Sequence, residues 1–561
     1  MADPFHGISD EAYRSIFEII EQCKKKELII YGAGFWGIQA YKIFARLKIT
    51  PKLLVDDDSD KQGKYFNENG VTTSHSGVSI VSLDEAISLY PNAIYVCAVT
   101  QDNNNNLKNM NEKLKEKGLF SKYSHFLPMK YMVLLYGGLD GLSRSTEIGQ
   151  NNFSTDNVNN IIIFNHMTSS GALYFNTLVD NHPNILTIVN IYNAALVKAY
   201  NLRLKYLEDE ELAIEISAQM FRYFKWDLPI DMFAEHCYCR ITERYFSNEK
   251  GKPEEHAYID GADFLSWLLT ALKGRGKVSF GYLLKAIITA YYNTIGKIYD
   301  PNQTYWLFYD NHQQNFNTET IHPLIQYDFN KIEYWTIIRE PVQHIFSFIM
   351  WLDNLNNRYP MIPLGHLSSP ANVIDVLSCD LGIMLQKNEI NNDKVIRVIR
   401  FEDVKRGEEY MRVICDVLDI PYNDCLLETT FNGIQIYFPT SDNSGKSIVI
   451  TGNDKTAVKR KDFSQLLTSF DIFRINLAVQ DFKRQYGYEV DIPHHSEFTE
   501  EFIEELYRIP FKFENKLIEI AQRYIKEGHF SDGTPQYHKC VTDLFLDYIK
   551  NGKQEMYDTL V

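Results

Sequence analysis

The 561-residue sequence has no uninterrupted apolar run of about 18 residues, so no membrane-spanning helix is expected. Its opening, M-A-D-P-F-H-G-I-S-D, has neither a basic start nor an apolar core and is not expected to be a secretory leader. Cysteine is sparse: eight residues, scattered along the chain, make no disulfide framework and suit a reducing cytoplasm. The tightest group, His236, Cys237 and Cys239, lacks the paired spacing of a zinc site, so no metal is expected. Positive charge is also short, with 57 Lys plus Arg against 73 Asp plus Glu and a net charge of −16. Such a chain repels polyanions on average, which argues against nucleic acid as a partner but not against a local basic pocket. No G-x-x-x-x-G-K-[ST] occurs, which disfavours Mg-ATP hydrolysis, and no internal repeat is visible.

What is present is enough to fold. Apolar residues make up 45% and aromatics 14%, and the length allows two to four domains. Glu27 to Tyr31 reads as a strand, followed by Gly32-Ala33-Gly34-Phe35-Trp36-Gly37, a helix over 38–47, and a strand over 52–55 that ends in Asp56, Asp57 and Asp58. Residues 94–99 give a further apolar strand. Gly32, Gly34 and Gly37 would let backbone N–H groups approach a pyrophosphate at a helix start, and Asp56 would accept from a ribose hydroxyl. A Rossmann-shaped unit that binds no nucleotide is the alternative. Residues 27–125 hold no Tyr-x-x-x-Lys pair for hydride chemistry, which disfavours a dehydrogenase. The Asn run from 103 reads as a loop, and Ser143 to Asn160 as a polar linker.

A second unit starts with a strand over 161–164 and the turn Asn165-His166-Met167-Thr168-Ser169-Ser170-Gly171, before a helix from Ala172 and then Asp180-Asn181-His182-Pro183. Free N–H groups at that helix start and the hydroxyls beside it can donate to phosphate oxygens, although such turns are also common caps. Residues 190–300 read as mostly helical and 334–338 as a buried strand ending in Arg339, with Pro341 opening a helix and Ser347 two turns along it. The guanidinium and hydroxyl fit a phosphate; an edge Arg paired with a carboxylate is the bland alternative. A strand over 396–399 leads to Phe401-Glu402-Asp403, then a helix over 408–418, and the chain beyond about 490 is helical and mixed in charge.

The combination of S-G turn, D-x-H-P, strand-R-x-P-x6-S and strand-F-E-D resembles the sulfotransferases of the bacterial carbohydrate type, over about 158–490. The run L-L-V-D-D-D-S-D-K-Q-G-K similarly resembles the small nucleotide- or sugar-nucleotide-binding domains attached to bacterial polysaccharide-modifying enzymes, with Asp56, Asp57, Lys61 and Gly63 on the pattern. The implied fold class is α/β: a Rossmann-like domain (1–127), a linker (128–157), a P-loop-like sulfotransferase domain (158–490) with a helical insertion at about 190–300, and a helical extension (491–561). The implied co-substrate is 3′-phosphoadenosine 5′-phosphosulfate (PAPS), with NAD or a nucleotide-sugar for the first domain. Thr168, Ser169, Ser170, Gly171 and Ala172 would hold the 5′-phosphosulfate, and Arg339 with Ser347 the 3′-phosphate. Lys455, Lys459 and Arg460 would add phosphate contacts, or form a solvated basic run. The acceptor implied is a glycan or sugar-linked hydroxyl, and peripheral association with membrane glycan assembly is compatible with that.

Sulfuryl transfer also needs a base, for which His312 and His322 are the candidates, with Asp310 or Glu319 as alternatives. The chain departs from the family in having no Lys or Arg among residues 167–170 beside the turn, and His166 is the nearest titratable group. A nucleotide kinase, and a non-catalytic nucleotide- or glycan-binding scaffold, are the competing readings.

Overall fold

The computed structural model describes residues 22–46, 48–67, 70–75, 77–98, 104–119, 124–126, 152–167, 169–189, 194–202, 204–220, 224–225, 259–312, 318–358, 396–436, 438–441, 447–450, 463–514, 545–546 and 549–550. It is mixed α/β, with parallel sheets and helices.

The first unit runs β1 (Leu28–Tyr31), α1 (Phe35–Arg46), β2 (Leu53–Val55), β3 (Tyr65–Asn67), β4 (Gly70–Thr72), β5 (Val78–Val81), α2 (Leu83–Leu89), β6 (Ile94–Cys97), α3 (Asn104–Glu116) and β7 (Ser124–Phe126). Its seven strands lie in the order β4-β3-β5-β2-β1-β6-β7. The run β5-β2-β1-β6-β7 is parallel, and β3 and β4 add an antiparallel edge. All four residues of β1 and of β6 are buried, as expected of strands covered on both faces. The chain leaves β1 for β2 on one side and returns to β6 on the other, so a crevice opens at the carboxyl end of β1. The glycine run occupies it, and Gly37 is required there, because a Cβ at that position would lie 2.1 Å from the Gly32 carbonyl oxygen. The Asn run is not all loop: α3 begins inside it, at Asn104.

The second unit opens with β8 (Asn160–His166), α4 (Ala172–Val179) and β9 (Ile185–Leu186). Helices α5 (Ala194–Leu202) and α6 (Asp209–Gln219) follow, then the short pair β10 (Phe224–Lys225) and β11 (Ile259–Asp260), and α7 (Gly261–Leu272) and α8 (Phe280–Thr294). The chain returns to the sheet as β12 (Trp306–His312), α9 (Thr318–Ile325), β13 (Lys331–Ile338), α10 (Pro341–Arg358) and β14 (Ile396–Arg400). Next come the one-turn α11 (Phe401–Val404), α12 (Glu408–Leu418), the hairpins β15 (Thr430–Phe431)–β16 (Ile434–Gln435) and β17 (Phe438–Ser441)–β18 (Ser447–Ile450), and α13 (Ser469–Ala478), α14 (Gln480–Gln485) and α15 (Glu500–Tyr507).

The five-stranded sheet is all parallel in the order β14-β13-β8-β12-β9, with the first strand of the unit at its centre. The period-two alternation of β8 divides the core. Ile161 and Ile163 pack with α7 and α8, while Ile162 and Phe164 face α4 and α12. A third apolar cluster joins α10 to α13, α14 and α15 through Ile345, Phe348, Ile475, Phe482 and Tyr507.

Residues 152–157, expected to be linker, are instead fastened to this unit. Asn293 exchanges hydrogen bonds with the Phe153 backbone at 2.8 and 2.9 Å, and the Phe153 ring is buried against Tyr292, Tyr299 and Tyr305. One apolar ring with three aromatic neighbours outweighs the polar composition around it.

Candidate functional site

In the second sheet, β8 has β12 on one side and β13 on the other, so the topological switch lies at its carboxyl end. The turn after His166 sits at that point. Ser169 and Gly171 both take left-handed backbone, at φ 61° and 98°. Ser170 is buried, and its Oγ and backbone N–H both donate to the Met167 carbonyl, at 2.8 and 3.3 Å. Gly171 is the N-cap of α4 and offers no side chain, and no acidic residue occupies the first turn of that helix. The first N–H groups of α4 and the positive end of its dipole are therefore presented at the crevice.

Three groups from distant parts of the chain converge there. Arg339, just past β13, donates from Nη1 to the Ser169 carbonyl at 3.3 Å, and its guanidinium lies 5.1 Å from the centre of the Phe401 ring. Phe401, at the start of α11, fills the space above Gly171 so closely that a Cβ at Gly171 would be 2.1 Å from the ring. Lys405, one turn along, has its Nζ 3.7 Å from the centre of the Tyr174 ring and 5.4 Å from that of Phe401. Tyr174 belongs to the first turn of α4 and meets Phe401 edge-on at 5.8 Å. The carboxylates nearby are engaged: Glu402 accepts from the Glu340 N–H and the Tyr488 hydroxyl, both at 3.0 Å, while Glu340 pairs with Lys483 at 3.1 Å. Asp403 pairs with Arg400 at 3.2 Å. The F-E-D segment thus acts through its first residue at the turn and through its acids in holding the loop.

Beneath the turn, His166 Nε2 and Asp310 Oδ1 are 2.6 Å apart, both buried. Asn176 of α4 donates to the other Asp310 oxygen at 3.2 Å and accepts from Thr187 at 2.8 Å. This network ties the turn, the helix and β12 together, a role that the residues W-L-F-Y-D alone do not reveal. At the far end of α4, Asp180 is buried and accepts from Thr430 Oγ1 at 3.0 Å. Burial pushes its carboxyl up to about 6 against the opposing hydrogen bonds and Lys297. Burial also pushes the Lys297 amine down to about 8 and the His182 imidazole down to about 4.

The residues expected at the site are distributed as follows. Ser169, Ser170, Gly171, Ala172 and Arg339 come together at the switch point. Ser347 lies half-buried on α10, two turns from its start. Thr168, Lys455, Lys459 and Arg460 lie outside the described residues, and so do His236, Cys237 and Cys239. His312 ends β12 with its backbone in register with His166; its side chain lies outside what the structure describes. His322, on α9, has Nδ1 2.6 Å from the Tyr334 hydroxyl. Burial holds that phenol protonated. Lys405, which lies against Tyr174 and Phe401, is not singled out by the sequence, where it is a lysine one helical turn after the Phe of F-E-D.

In the first unit, Asp56 turns back onto the glycine run. Its Oδ2 accepts from the Ala33 N–H at 2.7 Å and Lys61 Nζ at 3.2 Å, and its Oδ1 from the Asp58 N–H at 3.0 Å. The carboxylate expected to meet a ribose therefore already serves as the brace of the turn. Gly34, in contrast, has open space where a Cβ would be.

Among the described residues, one group has the composition of metal ligands: Asp481, His494 and His495. Ser496 donates its N–H to His494 Nδ1 at 3.3 Å, and Gln480 Nε2, which also donates to the Leu477 carbonyl, lies 3.3 Å from His495 Nδ1. On His494, Nε2 faces Asp481 at 3.2 Å. The group is a self-satisfied surface cluster rather than a set of lone pairs aimed at a cation.

No family model and no curated protein matches the chain. Solved structures similar to it include two sulfotransferase domains. The sulfotransferase domain from the curacin biosynthetic pathway is 16% identical, over 59% of this chain and 99% of that one, with a TM-score of 0.28. The sulfotransferase domain from the Synechococcus PCC 7002 olefin synthase is 10% identical, over 62% and 100%, with a TM-score of 0.30. Scores this low decide nothing about the chemistry of this chain.

Proposed function

We propose that the second unit is a PAPS-dependent sulfotransferase acting on a hydroxyl of a glycan or sugar-linked acceptor, as in bacterial polysaccharide biosynthesis. The observation that carries this reading is Arg339, brought from β13 to 3.3 Å from the Ser169 carbonyl at the switch point of a parallel sheet. A helix start without acids, two left-handed turn residues and a guanidinium fit a ligand bearing phosphate at both ends. Ser169, Ser170, Gly171 and Ala172 would hold the 5′-phosphosulfate, and Arg339, with Ser347 further along α10, the 3′-phosphate.

In the reaction, the acceptor oxygen forms a new bond to sulfur as the bond from sulfur to the 5′-phosphate oxygen breaks. The electron pair of that bond leaves with 3′-phosphoadenosine 5′-phosphate (PAP), and the acceptor proton passes to a base, for which His312 and His322 are the candidates. Positioning and charge stabilisation supply the rate, as in phosphoryl transfer. The first unit would bind NAD or a nucleotide-sugar at its glycine run, with Gly34 facing the ligand and Asp56 bracing the turn. The proposed location is cytoplasmic, peripheral to glycan assembly; among the described residues no helix is long and apolar enough to cross a membrane.

Calorimetry with PAP tests the reading. Micromolar binding that Arg339→Ala weakens by about 30-fold or more supports it, a loss typical of a charged hydrogen bond. Tight ATP binding with no response to PAP would sink it in favour of a kinase. PAP binding without radiolabelled sulfate transfer across a broad acceptor panel would leave a scaffold.

A further inference from the structure

Arg339 reaches the turn from a loop that the C-terminal helices hold in place. Glu340 follows it directly, and a carboxylate beside a guanidinium competes with any anionic ligand for it. Here both Glu340 oxygens are drawn elsewhere. Oε2 accepts from the Gln343 N–H at 2.9 Å, in the first turn of α10, and Oε1 accepts from Lys483 Nζ at 3.1 Å. Lys483 lies on α14, is 7% exposed, and also donates to Asn476 of α13 at 2.9 Å. The buried ammonium thus joins two helices to the residue next to Arg339.

The same segment holds the loop that carries Phe401. Tyr488 donates to Glu402 Oε2 at 3.0 Å, and Glu402 Oε1 accepts from the Glu340 N–H at 3.0 Å. Arg400, on the other side of Phe401, donates to the Tyr486 and Gly487 carbonyls at 3.0 and 3.1 Å. Its guanidinium lies 4.9 Å from the centre of the Tyr488 ring. Residues 483–488 therefore fasten both loops, one bearing Arg339 and the other Phe401.

We propose that Lys483 and Tyr488 are positioning residues for Arg339. Lys483 engages Glu340 and so keeps that carboxylate off the neighbouring guanidinium, while Tyr488 supports the same loop through Glu402. This rests on the sulfotransferase reading above, in which Arg339 holds the 3′-phosphate. Neither residue touches the nucleotide in this scheme; each acts through one carboxylate. Removing Lys483 leaves the Glu340 charge uncompensated, and the nearest cation along the chain is then Arg339 itself.

The test uses the full chain and two nucleotides that differ only in the 3′-phosphate, PAP and adenosine 5′-phosphate (AMP), titrated by calorimetry. Lys483→Met is expected to weaken PAP about tenfold, the scale of coupling through a direct contact, while AMP stays within about twofold of native. Adding Glu340→Gln to Lys483→Met removes the competing charge and should bring PAP back to within about threefold of native. A loss shared equally by PAP and AMP overturns the proposal, since it marks general damage to packing. So does a Lys483→Met protein that binds PAP like native, or one that Glu340→Gln does not rescue. Should Lys483→Met fail to fold, Tyr488→Phe decides, because it removes one hydroxyl and keeps the ring beside Arg400. PAP weakened about threefold in that variant with AMP unchanged supports the proposal, and unchanged PAP overturns it. Native protein that binds PAP no tighter than AMP removes the sulfotransferase reading of Arg339, and the proposal with it. Native preference for PAP with an indifferent Lys483→Met removes only the proposal.

Discussion

Gly433 donates its backbone N–H to Asp180 Oδ2 at 2.9 Å, so the tip of the β15–β16 hairpin hangs from a buried carboxylate at the end of α4. The tip is Asn432-Gly433, both left-handed at φ 53° and 74°, the geometry of a two-residue hairpin turn with matching twist. Tyr291 donates its hydroxyl to Asn432, and Lys297 donates to the His182 carbonyl at 3.1 Å. The helix that begins at the anion turn thus ends in a clasp on a separate hairpin.

That clasp makes stability depend on pH. The Asp180 carboxyl is raised from 3.8 to about 6, so its contribution is fully present below the unfolded value and is lost as pH rises through about 6. A shift of that size is worth about 3 kcal/mol. His182 opposes it, because a folded value lowered to about 4 removes stability as pH falls from 6.5 towards 4. Comparing native protein with Asp180→Asn cancels the His182 effect. The two should be about equally stable in urea near pH 4, and the variant should lead by about 3 kcal/mol at pH 8. A constant difference across that range would show that Asp180 does not titrate there.

Gly171→Ala should disrupt the site at its cap. The backbone sits at φ 98°, and the added Cβ would lie 2.1 Å from the Phe401 ring, so both strain and overlap act together. A loss of about 2–5 kcal/mol is expected from these two causes. Gly171→Ala combined with Phe401→Leu should recover the part due to overlap, as urea titration of the set of variants would show. Additive losses would mean that the ring is not what limits the position.

How far the sequence reached is clearest at β8 and β12. The apolar run 161–164, the turn after it and Arg339 were legible because burial, glycine and proline leave local marks. The structure extends that strand to His166 and places Arg339 at the turn. Lys405 was not legible, because its approach to Tyr174 depends on β14 lying two strands away from β8. Nor was the His166–Asp310 pair, whose partners are 144 residues apart and are joined only by strand register. Asp56 shows the opposite limit. Its spacing from the glycines fits a ribose ligand, and nothing in that spacing shows that the carboxylate also braces the turn through Ala33.

Removing His166 should cost more than its size implies. His166→Ala leaves Asp310 buried with one oxygen facing a cavity and the other on Asn176. An uncompensated buried charge of this kind costs about 3–5 kcal/mol. Asp310→Asn in the same background should recover part of it by removing the charge. The double-mutant cycle, read by chemical denaturation, therefore expects a large coupling energy. Independent, additive effects would show that the pair carries no joint role beneath the turn.

In the first unit, the glycines separate folding from binding. Gly37→Ala would place a Cβ 2.1 Å from the Gly32 carbonyl oxygen, a backbone atom that cannot step aside, and should lower stability by about 1–3 kcal/mol. A Cβ at Gly34 meets nothing within 4 Å, and Gly34→Val should leave the melting temperature close to native. If the open space at Gly34 is where a nucleotide approaches, the same variant should abolish the response to NAD(H) or a UDP-sugar in titrations of the full chain. A Gly34→Val protein that keeps native affinity would show that the ligand does not approach over that residue. The Asp56–Ala33 contact is untouched by the change, so a loss of binding would come from the crevice and not from collapse of the turn.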